Sequence, residues 1–184
     1  ISELTAEITK LSNQKEEKRL VYTSLNSQVG IIEKSITVAR DLKASTQYTI
    51  TEIQKKLDLY SKNKCPHCLS DLTDETHITI KDKLLNKKKT QSDLLPGLVE
   101  NINLINSDLN TKKAEQVAQK TMEVLKGAGV FGIEMFVTKN DQILINEIAP
   151  RVHNSGHHTL QSSKTSQFEQ HIRAILGLSL GSTE

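Results

Sequence analysis

Aromatic side chains are scarce in this 184-residue chain: three Phe, three Tyr and no Trp, 3% of the residues. So few large rings are thin material for one globular core and suit helices in which Leu and Ile do the packing. Charge of one sign is lacking too, with 24 basic against 22 acidic groups. A protein that coats nucleic acid needs a strong basic excess, so no direct nucleic-acid site is expected. No apolar run approaches the roughly 18 residues that span a bilayer, and no signal peptide is visible. The expectation is a cytoplasmic chain with no membrane partner. No GxxxxGK[ST] phosphate loop occurs. The first residue is Ile1 rather than Met, which reads as a fragment.

What is present is unevenly placed. Tyr22, Tyr48 and Tyr60 lie in the first 60 residues, Phe131, Phe136 and Phe168 after 130, and six of the eight Gly after 126. Charge does not mark the break, because residues 112–184 carry 8 basic and 7 acidic groups. The expected fold class is an α+β composite. A long antiparallel coiled-coil hairpin with a CxxC apex (1–111, apex 61–76) precedes a small helix/β-hairpin/helix piece (112–184).

Stepping 4, 3, 4, 3 from Leu4 to Tyr60 visits 17 positions, of which 13 are apolar, and the register never slips. A 3.5-residue period held this long keeps one seam facing a partner helix. A shorter return arm follows through Leu84, Leu95, Leu98, Ile102, Ile105 and Leu109, with Lys88 and Gln91 as polar interruptions. Pro96-Gly97 inside it should kink or break the helix. Folding back about residue 66 would set position k against 133 − k. Leu109 would then face Ser24, and residues 1–22 would have no partner from this arm.

Cys65-Pro66-His67-Cys68 falls where the heptads end. Such a knuckle sets two thiolates on one side of a tight turn, suited to a soft divalent metal. Structural zinc wants four ligands, so Cys65 and Cys68 would bind Zn²⁺ between two copies of the chain, and metal binding would become dimerisation. Three alternatives stay open: a redox-active dithiol, which needs a preceding β-strand; an intrachain site completed by His67 or His77; and two incidental cysteines. Heptads, this CxxC, Leu72-Thr73 and returning heptads resemble the zinc hook of SbcC-type repair ATPases. That resemblance covers residues 1–111 and implies tethering of coiled coils.

After Lys112 the pattern changes. Residues 113–126 predict a short helix ended by Gly127 and Gly129. Residues 130–138 and 143–149 predict a β-hairpin turning on Asn140-Asp141. If Lys139 pairs with Gln142, Glu134 falls across from Glu147, and a slip of one residue would put them on opposite faces. Like charges directly opposed cost stability unless a divalent cation sits between them or one is protonated. The other reading is two exposed edge glutamates. Arg151 in the run 146–157 offers a planar fork for an oxyanion. Ser166-Gln167-Phe168-Glu169 reads as a capping box for a last helix ending at Gly177.

Gly132-Ile133-Glu134-Met135-Phe136, the run from Asn146 to His157, and Thr165 to His171 closely resemble the C-terminal ATP-grasp lobe of the 5-(carboxyamino)imidazole ribonucleotide synthase (PurK) family. The resemblance implies that Glu134 and Glu147 hold the Mg²⁺ of MgATP and that Asn146 and Glu147 contact the nucleotide. It puts Arg151, His153 and Asn154 near carboxyphosphate and aminoimidazole ribonucleotide, as catalytic residues. Ala149 stands as this branch has it, and Val152 replaces the branch's usual Pro. The family's N-terminal substrate domain and its Lys-bearing lobe are not recognisable here. The chain is therefore expected not to catalyse alone, whether it is a ligase piece joined to a tether or an artefactual fusion.

Overall fold

The structure is a computed structural model that describes residues 2–61, 63–65 and 70–184. It is a mostly helical α+β arrangement with one two-stranded sheet. Helix α1 spans Ser2–Ser61 and α2 Glu75–Leu125. Strands β1 (Gly132–Val137) and β2 (Ile143–Ala149) follow, then a 3₁₀ turn at Asn154–Gly156, α3 (Thr159–Ser162) and α4 (Gln167–Ile175). Two compact units divide the chain, one of residues 1–29 with 110–184 and one of residues 30–109. No described helix is long and apolar enough to cross a membrane.

No proline and a single glycine, Gly30, interrupt α1, and its buried side chains are heptad positions. Leu25 and Val29 are buried in the first unit, and Ile36, Ala39, Thr46, Ile53 and Leu57 in the second. In the second unit Ile36, Ala39 and Ile102 form the core cluster, with Ile105 against it. Lys88 Nζ donates to Gln54 Oε1 at 2.6 Å, so one polar interruption of the seam has a partner across it. By contrast Leu4, Ile8 and Leu11, in the same register, are 59–65% exposed.

Pairing differs from the expected register. In the second unit Gln54 meets Lys88 and Arg40 meets Asn106, partners whose numbers add to 142 and 146 rather than 133. In the first, Asn26 accepts from Gln116 and the Lys120 ammonium lies 5.5 Å from the Tyr22 ring centre. The reversal is asymmetric: α1 ends at Ser61, whereas α2 waits until Glu75, where Asp74 caps it by accepting from the His77 N–H at 2.9 Å. The separate helix expected over 113–126 does not exist. Nothing between Leu109 and Lys113 breaks a helix, so α2 crosses residue 111 and supplies a partner for Tyr22. Nor does Pro96 end α2. Its missing N–H forfeits one bond, to the Ser92 carbonyl, while the bonds on either side continue the helix.

At the reversal the Cys65 N–H donates to the Ser70 carbonyl, Lys64 bridges Asp71, and the Leu72 N–H returns to the Asn63 carbonyl. Pro66, His67 and Cys68, and with them the zinc site and zinc-linked dimer expected there, lie outside the described residues. The element before Cys65 is α1, not the strand a thioredoxin-like dithiol needs. His77 is engaged otherwise, with its Nδ1 2.6 Å from Asp74 Oδ2.

Replacing Ile36 by Ala should cost about 2 kcal/mol in chemical denaturation, whereas Leu11→Ala should change stability by less than about 0.5 kcal/mol. The bonds from the His77 backbone and ring hold the Asp74 carboxyl below its usual value. Its contribution is therefore present above the unfolded-state pKa and lost as pH falls through the lower folded value. Melting of Asp74→Ala should be less acid-sensitive than wild type below about pH 4; an unchanged acid limb would contradict this.

Candidate metal centre on the bulged hairpin

The hairpin loop has three residues, not two. Thr138 pairs with Gln142, its N–H donating to the Gln142 carbonyl at 2.9 Å, and the Asp141 N–H closes onto the Thr138 carbonyl at 3.0 Å. A two-residue hairpin turn wants positive φ at both centres (type I′) or at the first (type II′), whereas Asn140-Asp141 has it only at the second, Asp141 (φ 56°). Next to the loop the pairs are therefore Val137–Ile143, Phe136–Leu144 and Met135–Ile145. Uninterrupted, that register would set Glu134 against Asn146. The ladder instead shifts between Glu134 and Met135, leaving Asn146 as an extra residue, and Glu134 faces Glu147. The expected carboxylate pair is thus present, by way of two departures that offset each other: a longer loop and a β-bulge.

His153 completes the cluster. Its Nε2 lies 3.5 Å from Glu147 Oε1 and 3.8 Å from Glu134 Oε1. One ligand atom from each of the three residues falls within 4.8 Å of the others, the sole such His/Cys/Asp/Glu group of three or more among the described residues. The extra residue contributes as well: Asn146 Nδ2 donates to Glu134 Oε2 at 3.3 Å. The imidazole is 9% exposed and the two carboxylates 42% and 55%, so a cation could reach the oxygens from water while the ring backs them from inside. Two hard carboxylate oxygens fit Mg²⁺, which takes one or two carboxylates and completes its shell with water and phosphate. Carboxylate oxygens suit Mn²⁺ as well.

The other predicted residues stand apart from this cluster in their contacts. Arg151 is exposed, and its Nη1 donates to the Val152 carbonyl at 3.0 Å. Asn154 opens the 3₁₀ turn, its carbonyl accepting from the His157 N–H. At α4, Ser166 Oγ accepts from the Glu169 N–H at 3.4 Å, but the Glu169 carboxylate pairs with Arg173 instead of closing the capping box. The helix ends in a Schellman motif at Gly177, with Leu178 N–H to Arg173 carbonyl and Gly177 N–H to Ala174 carbonyl. Sequence reasoning missed Ser155 and Gln167 as supports of His153. A serine in a loop and a glutamine in a helix's first turn carry no pattern that marks them.

The family model described as the ATP-grasp domain matches residues 87–168. The segment bearing the carboxylates is ATP-grasp-like. Over 73 residues the chain is 52% identical to the N5-carboxyaminoimidazole ribonucleotide synthase of Bacillus subtilis, covering 40% of this chain and 19% of that one. Over 72 residues it is 53% identical to the phosphoribosylaminoimidazole carboxylase of Ogataea methanolica, covering 39% and 13%. Among solved structures, the N5-carboxyaminoimidazole ribonucleotide synthetase of Thermotoga maritima is 63% identical, covering 40% of this chain and 20% of that chain at a TM-score of 0.39. The chain thus spans a fifth or less of the length of these relatives. The family match starts at residue 87, inside α2, and runs across residue 111.

Glu134→Gln should leave the cation-free protein as stable as wild type or slightly more so, because it removes half of a like-charge pair. The rise in melting temperature on adding Mn²⁺ should shrink sharply in the same variant. A marked loss of cation-free stability would mean that the pair is held together by something other than an absent cation.

Proposed function

We propose that this chain is the carboxylate-bearing segment of an ATP-dependent ligase of the N5-carboxyaminoimidazole ribonucleotide synthase kind. In this reading Glu134 and Glu147 hold the Mg²⁺ of MgATP and Asn146 lies beside the nucleotide. Arg151, His153 and Asn154 serve carboxyphosphate and aminoimidazole ribonucleotide. The observation that carries the reading is the pairing of Glu134 with Glu147 across the bulge, backed by a buried imidazole. The bound cation would supply positive charge against the nucleotide phosphates. This chain's own residues would fix where that charge sits and keep the two carboxylates on one face. Arg151, exposed on the loop after β2, has a fork suited to a bicarbonate or phosphate oxygen pair.

The 52% identity over 73 residues to an N5-carboxyaminoimidazole ribonucleotide synthase supports the substrate assignment. Clamping a nucleotide takes two opposed surfaces, and a segment with one of them should bind weakly and not turn over.

Calorimetric titration with MgATP tests the reading. Weak, magnesium-dependent binding is expected, lost in Glu134→Gln/Glu147→Gln, with no aminoimidazole-ribonucleotide-dependent ATP hydrolysis by this chain alone. Magnesium-independent binding, or binding indifferent to the double substitution, would overturn it.

A further inference from the structure

His153 is held from more sides than packing alone requires. The Gln167 side chain, on a residue only 7% exposed, makes both possible bonds to the His153 backbone. Oε1 accepts from the His153 N–H at 3.0 Å, and Nε2 donates to the His153 carbonyl at 2.8 Å. An amide presents one donor and one acceptor at the spacing of a peptide group, so it grips the backbone as a rung of β-ladder would. Room for that amide exists because residue 156 is glycine: a Cβ there would lie 2.5 Å from Gln167 Oε1. Gln167 is itself anchored, its N–H donating to Thr159 Oγ1 at 2.9 Å while that hydroxyl donates to the Gly156 carbonyl at 2.6 Å.

The ring is fixed separately. Ser155 Oγ lies 2.7 Å from His153 Nδ1, and the Ser155 N–H points to the same nitrogen at 3.3 Å. A nitrogen that accepts from a backbone N–H carries no proton, which leaves the proton of the neutral ring on Nε2, facing Glu134 and Glu147. The strand presses from the other side, since a Cβ on Gly132 would come within 2.8 Å of His153 Cβ. None of these contacts involves either carboxylate directly. Their common effect is to leave the imidazole one position and one tautomer.

We propose that Gln167 is a positioning residue, acting with Ser155 to aim His153 Nε2 at the Glu134–Glu147 pair and so set the geometry in which the pair receives a cation. The proposal rests on the reading above that these carboxylates bind a divalent cation. Partners that orient a group at a metal centre typically change metal affinity by about tenfold or more when removed. Gln167→Leu keeps much of the volume but removes both bonds. Gln167→Glu keeps the acceptor for the His153 N–H and sets a second acceptor against the His153 carbonyl.

The test uses the full chain at pH 8, with ¹⁵N-labelled histidine and Mn²⁺ alone as the probe. In wild type the His153 ring nitrogens should show the widely separated shifts of one Nε2–H tautomer. In Gln167→Leu those shifts should converge and Mn²⁺ affinity, read by electron paramagnetic resonance, should fall about tenfold, with helical content unchanged; Gln167→Glu should fall between. Unchanged ring shifts and Mn²⁺ affinity in Gln167→Leu would overturn the proposal, and so would averaged shifts in wild type, a result that needs no variant to fold. If wild type binds no Mn²⁺, or Glu134→Gln/Glu147→Gln binds it as well, the cation reading fails, and the ring shifts still decide whether Gln167 positions His153.

Discussion

The opposition of Glu134 to Glu147 is the interaction around which the segment after α2 is arranged. A two-stranded ribbon gains little by facing like charges across its ladder, and here it does so by inserting Asn146 to restore the register. That insertion has a chemical consequence beyond alignment. The bulged residue turns its own amide toward Glu134, and the strand end is carried toward the loop that holds His153. Cation, proton or water at this point would meet two carboxylate oxygens, one amide donor and one imidazole within a few bond lengths.

Hydrogen bonds rather than buried apolar area hold these pieces in place. Phe136, Leu144, Leu160, Ile172 and Ile175 are all more than half exposed, so the ribbon and α4 have no closed core. Two glutamine clasps do part of that work instead. Gln167 pairs with the peptide of His153, and Gln170 pairs in the same way with Gly181, giving 2.7 Å to its carbonyl and 2.9 Å from its N–H. The His171 ring adds a third tie by accepting from the Val130 N–H at 3.1 Å, which links the approach to β1 with α4. Directional bonds suit a site whose geometry matters, because they specify orientation where apolar contact specifies only proximity.

The helices depend on a simpler rule. Apolar residues at a 3.5-residue spacing are buried or half-buried where an antiparallel partner runs beside them and exposed where none does, as Leu57, Ile50 and Leu4 illustrate. Matching polar positions across the seam, Lys88 with Gln54, lets a heptad contain an interruption without leaving a buried group unpaired.

Local, repeating signals were legible in the sequence. The heptads of α1, the strands on either side of a polar turn, the Ser166 cap and the Gly177 stop all follow from spacing or backbone preference over a few residues. The pairing of Glu134 with Glu147 was legible too, although the two-residue turn from which it was argued is a three-residue loop whose slip the bulge offsets. Other features depend on contacts between residues far apart in the chain. The extent of α2 past residue 111 and its register against α1 depend on where a long connection releases the chain, which no local pattern specifies. That Gln167 grips His153, and that His153 rather than Arg151 or Asn154 reaches the carboxylates, was decided by tertiary structure alone. Hydrogen bonds across fourteen residues of irregular backbone leave no period in the sequence from which to read them.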